Sequence, residues 1–190
     1  MPDYTLPFPG RELAERELSY DPCYGKIPPE DRPVIVDAAW KKGEAAAGEV
    51  FREYQGERDF FKIAEKSGLR VCLQDVDYVV GKQRYFSDYL SGKNEINLYL
   101  KSIALWAEQN DMSPRQAQNV ILSHEYFHFL ECTRIGLTSR EYQVPMLTIG
   151  RWKIGTTGIR ALSEIGAHAF ARTYYEFIVQ EENTHEGTSV

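Results

Sequence analysis

Between Val34 and Lys66 the chain has helical character, with Ala38, Ala39, Val50, Phe51, Phe60, Phe61 and Ile63 available for packing, and Ser67-Gly68 supplies a helix stop. The pattern then changes. Val71-Cys72-Leu73, Tyr78-Val79-Val80, Arg84 to Leu90 and Ile96 to Leu100 are short runs of branched and aromatic residues that predict strands, with Ser91-Gly92-Lys93-Asn94 as a turn. Helix returns at Ser102 to Asn110. It returns again after Ser113-Pro114, an N-cap followed by a proline in the first turn. A last helix is predicted from Thr157 to Gln180, packing through Ile159, Leu162, Ile165, Ala169, Phe170, Phe177 and Ile178, and Gly136 to Thr156 reads as a loop. At the start, Pro2, Pro7, Pro9, Pro22, Pro28, Pro29 and Pro33 break everything except the helical phrase Arg11 to Leu18. Residues 1–33 therefore read as a proline-rich arm, residues 34–180 as one domain of the α+β class, and residues 181–190, with His185, as a polar solvated tail.

The helix that starts at Pro114 carries the chemistry. His124-Glu125-Tyr126-Phe127-His128 is an H-E-x-x-H pentapeptide that holds two of the four histidines. Positions i and i+4 of a helix share a face, so His124 and His128 can offer two imidazoles to one metal ion. Glu125 sits on the flank, too far round to be a ligand but placed to accept a proton from an attacking water. Asn119 to Ser123 and Phe129-Leu130 would bury this helix, where two histidines and a glutamate are costly without partners. A metal ion supplies one, and zinc suits such donors; a purely structural polar cluster is the competing reading.

A catalytic zinc usually takes three protein ligands. The preferred third is Glu164, on the helix predicted downstream. His168, one turn on, is the rival, and otherwise it would orient Glu164 or polarise a substrate carbonyl. Weaker candidates stand nearby. Glu131 shares the histidine face and is expected to be a supporting or surface charge, and Cys132 a small buried residue. Tyr142 could approach an oxyanion, whereas Tyr175, roughly 16 Å along the axis from Glu164, is out of reach.

These residues resemble the ImmA/IrrE family of gluzincin-type metallopeptidases, whose second helix reads approximately E-x-E-A-N-x-F-A, here Glu164, Ala167, Phe170 and Ala171. A helix ending in Ala64 to Leu69, then Arg70 to Val76 and Glu95 to Leu100, extends the resemblance over residues 36–178. It implies a zincin-like fold in which a small mixed or antiparallel sheet packs against the H-E-x-x-H helix and a second ligand-bearing helix. It also implies zinc on His124, His128 and Glu164, Glu125 as general base, and cleavage of a regulatory protein such as a transcriptional repressor. In zincins the strand before the metal helix runs along the cleft and binds extended substrate, a place that Glu95 to Leu100 would take unless it is an ordinary inner strand. The chain departs from the family phrase at Phe127, where a small residue is usual, at Gly166 in place of the second glutamate, and at His168 in place of asparagine. The interval from His128 to Glu164 is also long.

Composition adds limits. A net charge of −6 and a pI near 5.3 argue against nonspecific nucleic-acid binding. No apolar run has transmembrane length and Met1 to Gly10 lacks the features of a signal peptide, so no membrane partner and a cytoplasmic location are expected. Cys23, Cys72 and Cys132 are too few and scattered for a disulfide framework. The expected function is a zinc-dependent endopeptidase acting on a peptide or protein. The alternatives are a metal-binding recognition module without turnover and a hydrolase of small amides or cell-wall peptides, which would need a deep closed pocket.

Overall fold

The computed structural model describes residues 9–186, which form a mixed α+β structure of six α-helices and seven strands. In chain order these are α1 (Ala14–Ser19), α2 (Asp31–Glu53), α3 (Phe60–Lys66), β1 (Arg70–Gln74), β2 (Tyr78–Val80), β3 (Gln83–Tyr85), β4 (Ser87–Leu90), β5 (Glu95–Tyr99), α4 (Leu100–Gln109), α5 (Pro114–Leu130), β6 (Gln143–Ile149), β7 (Trp152–Gly158) and α6 (Ala161–Glu186). The prolines at 2 and 7 and residues 187–190 of the tail lie outside the described residues, as does the side chain of His185. No helix of the described residues is long and apolar enough to cross a membrane.

The helical stretch predicted from Val34 to Lys66 is two helices. Gln55 and Gly56 take positive φ (54° and 71°) and end α2, and Asp59 restarts the chain by accepting from Phe61 N at 3.0 Å. Ile35, Val36, Ala39, Trp40, Gly43, Ala46, Ala47 and Val50 form the buried stripe of α2. It rests against α6 closely enough that a Cβ on Gly43 would lie 2.2 Å from Gly166 O and 2.7 Å from Ala169 Cβ. Glycine at 43 is therefore required by backbone contact.

The main sheet has the order β1-β5-β4, with β5 parallel to β1 and antiparallel to β4. This corrects the expectation for Glu95 to Leu100. Every residue of β5 is buried and the strand is an inner one, with β1 and β4 as the two edges. Arg84 to Leu90 divides at Phe86, its first half pairing with β2 in a separate hairpin.

Two more expectations change at the interval between α5 and α6. The predicted loop from Gly136 to Thr156 is largely the antiparallel hairpin β6–β7, turning at Gly150 with φ 58°. Thr157 and Gly158 are its last strand residues, so α6 begins at Ala161. The reasons are long-range. A Cβ on Gly158 would sit 2.0 Å from Ser139 O, Ile159 N donates to that same oxygen at 2.8 Å, and Ala161 N donates to Asp21 Oδ2 at 3.1 Å. The cap of α6 thus comes from the proline-rich arm.

Two apolar clusters result. The larger lies between the sheet and α3 to α6, around Phe60, Ile96, Leu98, Leu122, Tyr126, Phe127, Phe170 and Tyr174. The smaller joins Ala14, Leu18 and Ile27 of the first segment to Val36, Trp40, Ile159, Leu162 and Ile165.

Candidate metal centre

Helix α5 is set by its own start and its position. Gln116 N donates to Ser113 Oγ (3.3 Å) and Ser113 N donates to Gln116 Oε1 (3.0 Å), a capping box with Pro114 in the first turn. Val120, Leu122, Tyr126, Phe127 and Leu130 bury the helix between the sheet and α6. The remaining face turns His124 and His128 into a cleft, with ring centroids 5.1 Å apart.

Glu164, in the first turn of α6, reaches both. Its Oε2 lies 3.3 Å from His124 Nε2 and its Oε1 lies 3.6 Å from His128 Nε2. One ligand atom from each of the three residues falls within 4.8 Å of the others, so the group can hold a metal ion. Two imidazoles and one carboxylate are a donor set suited to zinc. His168 stands outside this group. Its ring lies against His124 at 5.0 Å and lines the cleft, and burial followed by the charge of His124 pulls its pKa down to about 3, so it is a neutral imidazole.

Glu131 proves to be buried rather than a surface charge. His128 Nδ1 lies 3.0 Å from Glu131 Oε2, while Glu131 Oε1 accepts from Thr138 N (2.8 Å) and Ser163 Oγ (2.9 Å). This contact fixes the ring of His128 and leaves Nε2 towards Glu164. A π-helical turn, Glu131–Ile135, follows directly. Burial alone would lower the pKa of His128, but the hydrogen bond that it donates to Glu131 and the charges of Glu125, Glu164 and Glu131 bring it up to about 9. Burial would raise that of Glu164, and the hydrogen bond and charge of His124, with His128 and His168, hold it down to about 2.

Glu125 is 8 % exposed, and its Oε1 accepts from Ser87 Oγ at 2.6 Å. Ser87 lies on the edge strand β4. The motif does not reveal this serine, because nothing in a short strand says which helix it will face. Glu17 of α1 also went unnoticed in the sequence. It is half-buried and lines the same cleft, with its pKa raised by burial and by Glu164, against an opposing effect of His124.

The cleft consists of two open cavities of about 530 and 640 Å³ whose shared lining includes Glu17, Ser87, His124, Glu125 and Glu164. Cys132 is exposed on the wall of the second, which corrects its expected burial. Two other candidates are accounted for by packing. Tyr142 donates to Asp31, and Tyr175 Oη accepts from Asn119 Nδ2 at 2.7 Å.

Two departures from the family phrase complement each other. A Cβ on Gly166 would lie 2.7 Å from Phe127 Cζ, so the large residue of α5 fills the space that the missing side chain of α6 leaves. Comparison of the chain with protein-family models, with curated proteins and with solved structures finds no match in any of the three.

Proposed function

We propose that this chain is a zinc-dependent metallopeptidase, with zinc held by His124, His128 and Glu164 and with Glu125 as the general base. The observation that carries the reading is the convergence of those three donors beside a buried carboxylate that is not one of them. Held by His124, His128 and Glu164, zinc would supply Lewis-acid chemistry, the polarisation of a carbonyl and the acidification of water. Glu125 takes the proton from the attacking water and delivers it to the leaving amine. Ser87 holds that carboxylate in place through Oε1 and leaves Oε2 for the proton. His168, neutral and facing the cleft, supports the developing negative charge on the carbonyl oxygen by donating a hydrogen bond.

Peptide binding draws on β4. Phe86 O accepts from Tyr99 N, so the alternation of an antiparallel ladder leaves the N–H and C=O of Ser87 and Tyr89 on the free side. An extended peptide can add there as a further strand. An open cleft beside a free edge favours peptides over a small amide in a closed pocket. A distant kinship with the ImmA/IrrE family and its zincin-like fold is part of this proposal and rests on the motif residues. A cytoplasmic setting belongs to it too, and three free cysteines suit a reducing compartment.

Metal analysis of the purified protein together with Glu125→Gln tests the reading. Stoichiometric zinc, retained in the variant while peptide hydrolysis falls on the order of a hundredfold or more, is the expected result. Unchanged turnover in Glu125→Gln would remove the mechanism, and absence of zinc would remove the site.

A further inference from the structure

The first segment of the chain brings a further carboxylate, Glu17, to the cleft. Ala14 and Leu18, 3 % and 0 % exposed, pin α1 into the apolar cluster of α2 and α6. Asp21 closes the attachment, its two oxygens accepting from Cys23 N at 2.8 Å and from Ala161 N at 3.1 Å, the latter at the start of the ligand-bearing helix. Glu17, between these anchors, is left facing the cleft. It lines both cavities together with His124, Glu125 and Glu164, and Pro9 stands at the rim of the first.

Its relation to the metal group narrows its role. Glu17 is not among the residues whose ligand atoms lie within 4.8 Å of one another, yet it is near enough for the charges of Glu164 and His124 to act on it. Among the described residues no hydrogen bond or ion pair is made to its carboxylate. A half-buried carboxylate beside a second carboxylate favours a cation in the space between. The backbone of an unmodified peptide has one cationic group, the α-ammonium. In the first residue of a peptide this group is two bonds from the carbonyl carbon. A peptide whose first carbonyl stands at the metal therefore presents its ammonium within the cleft that Glu17 lines.

Building on the metallopeptidase reading, we propose that Glu17 is a specificity-determining residue that binds the α-ammonium of the substrate, so that the enzyme removes amino-terminal residues from peptides. Its place on a helix packed into the core makes the selection sharp. An acetylated amino terminus offers no charge and leaves the carboxylate desolvated without a partner, a mismatch that costs on the order of ten- to a hundredfold in specificity.

The probe is a pair of mixed-sequence tetrapeptide amide libraries, one with free and one with acetylated amino termini, incubated with the zinc-loaded protein and followed by mass spectrometry. Release of the first residue from the free library, with the acetylated one spared, is expected. Glu17→Gln should lose about ten- to a hundredfold of kcat/KM on free peptides, mainly through KM, while binding zinc as tightly as the parent. Equal cleavage of both libraries, cuts confined to internal bonds, or an unaffected Glu17→Gln would overturn the assignment. A fall in zinc affinity in Glu17→Gln comparable with that of Glu164→Ala would overturn it as well, by making Glu17 a ligand. Depletion of the libraries by zinc-loaded Glu125→Gln separates this proposal from the one beneath it. Retention of free over acetylated peptides, lost in Glu17→Gln/Glu125→Gln, supports ammonium recognition even if no peptide is cut, whereas equal retention overturns it. Failure of the parent protein to cut either library counts against the peptidase reading alone.

Discussion

The two walls of the cleft are built on opposite principles. One consists of α5 and α6, whose candidate donors His124, His128 and Glu164 stand on long helices held by a buried carboxylate contact, Glu131 to His128, and by the fit of Phe127 over Gly166. The other consists of β4 and α1, short elements that each bring one chemically important side chain, Ser87 and Glu17, from a distant part of the chain. In the proposed site the first wall supplies the donors for a metal. The second supplies the groups that the proposed chemistry would use around it. The shared face of His124 and His128 follows from local periodicity, while the approach of Glu164 and the opposing wall depend on how remote segments dock.

That contrast can be broken most completely at the ligands. His124→Ala or His128→Ala should each abolish tight zinc binding, because two remaining donors hold the ion poorly, and Glu164→Ala should weaken it severely. Stoichiometric zinc in any of the three, measured after dialysis against a mild chelator, would show that the helical wall is not the metal wall.

His168→Ala sharpens the same boundary. It should leave the metal in place and lower peptide hydrolysis by about ten- to a hundredfold. Loss of zinc in this variant, with Glu164→Ala keeping it, would exchange the two roles and make a three-histidine site.

Glu131→Ala should reduce zinc affinity by about ten- to a hundredfold, since the ring of His128 would no longer be oriented. Titration with a competing metal indicator measures the change. An unaltered dissociation constant would mean that the Glu131 contact only joins α5 to the turn at Thr138 and to α6.

The smallest effect belongs to the opposing wall. Ser87→Ala should keep zinc affinity and lower kcat by about tenfold, through a less well-held Glu125. A change in metal affinity instead would show that β4 helps to shape the ligand group, and the division between the walls would fail.

Some of this was legible beforehand because its causes are local. The i, i+4 spacing of His124 and His128 places them on one face of any helix, and Ser113-Pro114 with Gln116 starts that helix wherever it packs. Ser67-Gly68 ends α3 for an equally local reason, Gly68 taking a φ of 71°. The pairing of Phe127 with Gly166 was half visible. Both departures from the family phrase stand in the sequence, but their complementarity exists only once α5 and α6 touch.

The sequence by itself determined the mixed α+β composition, the helix that carries H-E-x-x-H and the residues able to contribute a third ligand. Tertiary structure alone decided that β5 is the inner strand and β4 an edge, since a strand's neighbours depend on which ladders form rather than on its own residues. It decided that residues from Gln143 to Gly158 pair as a hairpin and that α6 waits until Ala161 for a cap from Asp21, 140 positions away. It also brought Ser87 to Glu125 and Glu17 to the cleft. Hydrogen bonds and charges act through space over a few ångströms, and only the folded chain says which distant residues come within that range.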